Sequence, residues 1–201
     1  MKRRIPLGVK YLVGVDEVGR GPLAGPVAVC TCAVPIDFDF ASLPPLTDSK
    51  KMSPLARERV EQAVRDRRAG QHIQSMVCMV SEKWIDKKGL AWVLKKALHD
   101  ALKRLAVKPE ECLVLLDGGL RAPKEYIYQI TIVKGDAKEK VIGLASVLAK
   151  VKRDKYMKQL AKKLPAYGFD RHKGYGTKAH YAAIKKHGVS KVHRKSFLKK
   201  L

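Results

Sequence analysis

Apolar and polar positions along this chain change period several times, and each period marks an element. Five stretches are short, rich in β-branched residues and bounded by turn formers: YLVGVD at 11–16, PVAVCTCAV at 26–34, HIQSMVCMV at 72–80, CLVLLD at 112–117 and YIYQITIV at 126–133. Such side chains suit a pleated, half-buried surface, so five strands are predicted. Between the third and fourth, Leu90, Val93, Leu94, Ala97, Leu98, Ala101, Leu102 and Leu105 recur at alternating steps of three and one. That is the stripe of a helix with one buried face. Another helix is predicted from Ser53-Pro54, a serine cap followed by a proline that the first turn tolerates, to about Arg68, with Gly70 as its stop.

The longest helical pattern, AKEKVIGLASVLAKVKRDKYMKQLAKKL, follows Asp136. Asp136 and Glu139 have the spacing of a capping box, which predicts a helix from Ala137. Pro165 and Gly168 interrupt it, a last helix is predicted over 178–186, and a basic segment runs from Val189 onward. A run of strands followed by strands alternating with helices predicts a mixed α/β sheet with helices on both faces. The 201 residues suit one domain. The expected division is one main domain over 1–188, including a helical C-terminal segment, and a basic tail over 189–201.

Charge changes this picture most. Forty-two Lys and Arg against 19 Asp and Glu give a formal charge of +23. A field of that sign concentrates polyanions, and nucleic acid is the expected partner. No apolar run approaches the roughly 20 residues of a spanning helix, and Lys10 and Asp16 interrupt the opening apolar stretch, with no cleavage site after it. A soluble, cytoplasmic monomer is expected. Cys30, Cys32, Cys78 and Cys112 lie in strand-like runs without C-x-x-C spacing, so they are read as reduced core residues. His172, His180, His187 and His193 are scattered among lysines and are read as surface or phosphate-contacting groups.

Against that basic background, acids gather where strands end. GVDE closes the first strand with Asp16 and Glu17, LVLLD closes the fourth with Asp117, and Asp136 follows the fifth after only Lys134 and Gly135. If strands one and four are parallel neighbours, Asp16 and Asp117 finish at one sheet edge, where open α/β sheets bind ligands. Crowded carboxylates raise one another's proton affinity unless a cation neutralises them. Oxygen donors suit Mg²⁺ or Mn²⁺, and two such ions about 4 Å apart can activate a water and stabilise a leaving oxygen. Adjacent acids on a regular strand point to opposite faces, so the strand must end or twist for Glu17 to join. Asp136 can also be a plain helix cap and Asp117, before Gly118-Gly119, a plain turn former. In GRGPLAG the glycines let backbone amides approach a ligand, with Arg20 available for phosphate or ribose. In HKGYGT, Tyr175 can stack on a sugar or base.

Taken in order, DEVGRGPLAGPV, DSK (48–50), LLDG (115–118), KGDAKEKVIGLASVLAKVKRD (134–154), HKGYGT (172–177) and HRKSF (193–197) resemble bacterial ribonuclease HII over residues 11 to 197. The resemblance implies a ribonuclease H-like fold with a five-stranded mixed sheet. It implies hydrolysis of RNA in RNA–DNA hybrids and incision 5′ of a ribonucleotide embedded in duplex DNA, leaving 3′-hydroxyl and 5′-phosphate ends, with Mn²⁺ or Mg²⁺ as cofactor. Carried over by motif, Asp16, Glu17, Asp117 and Asp136 are the active-site acids and metal ligands. The backbone of Gly19, Arg20 and Gly21 reads the ribose 2′-hydroxyl, Tyr175 packs on its sugar, and Lys50 contacts phosphate. The basic tail is expected to bind duplex phosphate or a replication clamp. Two departures stand out: glycine where a polar residue is expected in LLDGGL, and Gly143-Leu144 in a normally alanine-rich run. A silent nucleic-acid-binding module and a nuclease of the same fold acting on branched DNA are the alternatives.

Overall fold

In the computed structural model, which describes residues 5–68 and 73–198, five strands form one mixed sheet. They are β1 (Tyr11–Val18), β2 (Val27–Pro35), β3 (Gln74–Val80), β4 (Cys112–Asp117) and β5 (Tyr128–Ile132), in the order β3-β2-β1-β4-β5. β1, β2 and β3 pair antiparallel, whereas β1 with β4 and β4 with β5 pair parallel. The predicted His72 start of the third strand, and the Gly70 stop before it, lie outside the described residues.

The strands sort their side chains by parity, as the two-residue period requires. Val13, Val15, Val27, Val29, Val114 and Leu116 pack on one face against α3 (Leu90–Lys103), whose buried Val93, Leu94, Ala97, Leu98, Ala101 and Leu102 are the predicted stripe. The short α2 (Glu82–Lys88), not anticipated, leads into it. The other face carries Cys30, Cys32, Leu113 and Leu115 against α1 (Pro54–Arg68) and α5 (Lys140–Lys163). All four cysteines are buried, and the Ser53 hydroxyl accepts the N–H of Ala56, as a cap should.

The long helix lies hard against the central strand. A Cβ on Gly14 would fall 2.1 Å from the Val141 carbonyl oxygen, so only glycine lets α5 cross β1 at this distance. The helix does not begin at Ala137. Lys134 takes a left-handed φ of 55°, a single turn, α4 (Gly135–Lys138), follows, and extended Glu139 separates it from α5. Asp136 therefore sits inside the short turn, its Oδ1 accepting the N–H of Ala137, and it is not the cap of the long helix, since the Glu139 N–H goes to the Gly135 carbonyl at 2.8 Å. Gly143, one of the two departures, serves this kink: a Cβ there would meet the Asp136 carbonyl at 2.9 Å.

Beyond α5, α6 (Phe169–His172) and α7 (Lys178–His187) build a third cluster with Leu23, Ala24, Met157, Leu160, Tyr167, Phe169, Ile184, Val192 and Leu198. The segment expected to be a basic tail from 189 is thus folded in as far as residue 198. Ala24 bridges His193, and Gly25 donates its N–H to Val192 O at 2.9 Å. High charge hid Val192 and Leu198, which supply the apolar contacts. The histidine expectation also fails for most of the group. His180 and His193 are fully buried with Nε2 atoms 3.1 Å apart, and His172 stacks on His180 at 4.4 Å; His187 is exposed.

Candidate active site

Parity decides which acids meet. Val15 pairs with Leu116 across β1 and β4, so the next residues, Asp16 and Asp117, are neighbours on the α5 face. The kink before α5 brings in Asp136. Carboxylate oxygens of Asp16, Asp117 and Asp136 lie within 4.8 Å of one another. In each, one oxygen is fixed by a backbone amide: Asp16 Oδ1 accepts from Glu17 N–H (2.7 Å), Asp117 Oδ1 from Gly135 N–H (2.7 Å) and Asp136 Oδ1 from Ala137 N–H (3.0 Å). β1 stays in register with β2 to Val18, so Glu17, paired with Val29, alternates away from Asp16 along the strand, yet its carboxylate remains close enough to repel both Asp16 and Asp117. It stands beside the trio rather than in it.

Electrostatics make the cluster costly as it stands. Asp16 is only 5 % exposed. Burial, then repulsion from Glu17 and Asp117, pushes its pKa up to about 7 despite hydrogen bonds from Ser146 and Glu17 N–H. Burial likewise raises Glu17, against the opposing effect of Arg20. Arg20 Nη1 donates to Glu17 Oε1 at 3.0 Å, while the buried Glu17 Oε2 has no hydrogen-bond partner among the described residues. Converging hard oxygen donors, a desolvated carboxylate and an orphaned carboxylate oxygen fit a hard divalent cation.

Around the acids, distant segments are tied down. Ser146 on α5 also meets Ser49 Oγ at 2.8 Å, and buried Arg57 donates to the carbonyls of Ser49 and Met52, both at 2.8 Å. These contacts hold the 48–50 loop so that Lys50 Nζ lies 3.7 Å from Asp136 Oδ2. The other wall joins the two glycine loops. Gly19 has φ +94°, a Cβ on Gly21 would lie 4.0 Å from Tyr175 Cε1, and Tyr175 is 41 % exposed.

Two buried arginines hold that wall from behind. Arg194 donates to the carbonyls of Gly19 (2.7 Å), Arg20 (2.9 Å) and Gly25 (2.9 Å), and Arg153 to those of Pro26 (2.9 Å), Lys173 (3.0 Å) and Ala24 (3.3 Å). In a trans peptide the N–H opposes the C=O. Drawing the Gly19 and Arg20 carbonyls inward therefore turns the N–H groups of Arg20 and Gly21 outward. Residue-level reading gave no role to Arg153, Arg194, Arg57 or Ser146; the 134–154 motif contains Ser146 and Arg153, and HRKSF contains Arg194.

A family model described as Ribonuclease HII matches residues 13–200. The chain belongs to the ribonuclease HII family. A ribonuclease HII from Bacillus mycoides (strain KBAB4) is 45% identical over 190 residues, 94% of this chain and 70% of that relative. Among solved structures, the PCNA:RNase HII complex from Archaeoglobus fulgidus superposes with a TM-score of 0.72 at 23% identity, covering 92% of this chain and 93% of that one. Bst-RNase HIII in complex with Mn2+ superposes with a TM-score of 0.62 at 17% identity, covering 95% and 65%. As a ribonuclease HII, the chain is a metal-dependent endoribonuclease that acts on RNA–DNA hybrids. Its fold is the ribonuclease H-like mixed sheet expected from the sequence.

Proposed function

We propose that, beyond cleaving the RNA strand of hybrids, this ribonuclease HII incises duplex DNA on the 5′ side of a single embedded ribonucleotide, leaving 3′-hydroxyl and 5′-phosphate ends. The observation that carries this reading is the approach of Tyr175 to Gly21, whose neighbour Arg20 is paired with Glu17. One ribose in a DNA duplex differs from its neighbours by a single 2′-hydroxyl. The outward amides of Arg20 and Gly21 suit hydrogen bonding to that oxygen, and the exposed Tyr175 ring suits its sugar face.

Asp16, Asp117 and Asp136, with Glu17 at their side, would hold Mn²⁺ or Mg²⁺. When bound, such a cation activates a water and neutralises charge developing on the leaving oxygen. The chain's own part is to orient one oxygen of each aspartate by an amide, to exclude water from Asp16, and to keep Ser146 against it. Arg20 steadies Glu17, and Lys50 sits where a substrate phosphate would approach the acids.

The basic composition supports nucleic acid as partner, and no described helix is long and apolar enough to cross a membrane. Among the described residues of the basic segment, a clamp contact, suggested by the archaeal complex, would use exposed groups such as Lys191 and Lys195, since Val192, His193, Arg194 and Leu198 are buried. The chain is read as a cytoplasmic monomer. The decisive assay compares an all-DNA duplex with one carrying a single ribonucleotide, in Mg²⁺ and in Mn²⁺. Incision only of the substituted duplex, 5′ of the ribose, is expected. Equal cutting of both duplexes, or none in either cation, defeats the reading.

A further inference from the structure

A groove of about 860 Å³ lies between α3 and the loop 119–124, with Arg20 in its lining. It adjoins the site, because Arg20, which lines it, pairs with Glu17 at 3.0 Å, and Gly119, also in its wall, follows Asp117 by two residues. Lys95, Arg121 and Lys124 bring positive charge to its lining. The acid there, Asp100, is already engaged by Lys96 at 2.8 Å.

Trp92 also lines the groove, 39 % exposed, and stacks on Trp84, 43 % exposed, with ring centroids 5.7 Å apart and planes at 24°. Lys87 and Lys88 lie over these rings at 5.4 Å and 6.0 Å. Exposed aromatic rings interleaved with cations are the pattern of single-strand nucleic-acid channels, where rings stack on bases or sugars and cations track phosphates. An acidic peptide would match the lysines but would run its carboxylates into Asp16, Asp117 and Asp136. A nucleic-acid strand escapes that conflict, since the same cations that satisfy the acids also bind its phosphates.

Resting on the nuclease reading of the acid cluster, we propose that this groove carries the nucleic-acid strand onward from the scissile linkage. Lys95, Arg121 and Lys124 neutralise its backbone, and Trp92 packs on a sugar or an unstacked base. Because the groove leaves the acids in one direction, it serves one flank of the substrate only.

The test uses two duplexes with a single ribonucleotide, one with a long arm only upstream of it and the other with a long arm only downstream. Steady-state incision is measured for wild type, Trp92→Ala, Trp92→Phe and the pair Lys95→Gln with Arg121→Gln. Trp92→Ala and the paired variant should raise KM roughly tenfold for one arm polarity and far less for the other. Trp92→Phe should recover most of the loss, and the paired variant should flatten the salt dependence of KM. Equal effects on both polarities, or no effect on either, overturn the proposal. The chain's two tryptophans both belong to this patch, so intrinsic fluorescence gives a readout independent of cleavage. In chelator, a long arm of one polarity should quench it and the other should not. If the wild type quenches in this polar fashion but cuts nothing, the groove survives and the nuclease reading fails. If it cuts without polar quenching, the groove fails alone.

Discussion

Two places in this molecule bury like charges side by side, and they resolve the cost in opposite ways. At the strand ends, Asp16, Asp117 and Asp136 converge, with the exposed Lys50 as their one ion-pair partner among the described residues, and Asp16 is held nearer to neutrality than an ordinary carboxylate. Behind the Gly19–Gly21 loop, Arg153 and Arg194 are fully buried, and no carboxylate lies within ion-pair distance of either among the described residues. Burial, and for Arg194 the neighbouring Arg153, pulls both guanidiniums down, Arg194 to about 10. Yet each finds three backbone carbonyls in the directions of its fixed fork of donors. The arginine site is complete within the chain, so the loop it shapes is rigid before substrate arrives. The acid site is incomplete within the chain, which is the physical meaning of a cation site.

The sharpest way to break this comparison is to neutralise each side. Asp16→Asn removes a cation ligand while keeping the shape, and single-turnover incision in Mn²⁺ should fall by about 10³-fold or more. Substrate binding should largely persist, because no phosphate contact is lost. The same change spares the fold an ionised carboxylate in a desolvated place, so melting in chelator at neutral pH should rise. Activity lost together with stability would mean that Asp16 is a structural residue.

Arg194→Ala should do the reverse. It orphans three carbonyls and leaves a cavity, and urea unfolding should show a loss of about 3–5 kcal/mol. In the surviving folded fraction, discrimination between a single ribonucleotide and all-DNA should weaken, because the Arg20 and Gly21 amides lose their fixed direction. Arg194→Lys keeps the charge but not the fork, and should restore little. Full function in the lysine variant would show that charge alone, rather than carbonyl geometry, sets the loop.

The same contrast explains what could be read in the sequence. The strands, the α3 stripe and the acids at strand ends are legible because each is a local pattern: alternation, a helical period, or a carboxylate after an apolar run. Parity alone also posed the Glu17 question, and the strand, regular to Val18, leaves Glu17 beside the trio, near enough to repel Asp16 and Asp117. What stayed hidden depends on pairs distant in sequence. Arg194 meets Gly19 across 175 positions, and in a chain with 42 lysines and arginines nothing local distinguishes one destined for burial. Asp136 illustrates a third case, in which a left-handed Lys134 and an extended Glu139 override a plausible capping pattern.

The histidines, another group misread among the lysines, offer a gentler test. His180 Nδ1 faces the Tyr175 carbonyl at 2.9 Å and must donate to it. His193 Nδ1 accepts the N–H of Ser190 at 3.0 Å. Neutral tautomers then let His193 Nε2–H donate to His180 Nε2. Burial lowers both, His180 to about 4, with the other rings adding repulsion. A base with a depressed folded pKa gives stability that is present above about 6.5 and lost as pH falls toward 4. Unfolding free energy should drop by about 3 kcal/mol over that window, and His180→Gln should flatten the dependence. A flat wild-type profile would mean that the pair is not neutral.

The smallest expected effect belongs to Lys50, and it sharpens the contrast from the acid side. Its side chain is 82 % exposed and its ammonium lies 3.7 Å from Asp136 Oδ2, so the pair contributes less than about 1 kcal/mol to stability and Lys50→Ala should leave unfolding almost unchanged. The backbone that carries it is firmly held, with Lys50 N–H on Asp48 Oδ1 at 2.9 Å and Ser49 on Ser146, so any consequence comes from the charge itself. Two roles then make opposite demands on the cation titration. As a counter-charge to the acids, Lys50 competes with the divalent ion, and its removal should lower the Mn²⁺ concentration for half-maximal incision by about twofold. As a phosphate contact, its removal should raise KM for the duplex a few-fold, with an effect that fades as salt is added. Both shifts are expected together, since a cation on Asp136 would repel the ammonium toward an approaching phosphate. A KM change with no shift in Mn²⁺ requirement would show that the acids do not feel Lys50 at all, and that the ion pair is incidental to the site.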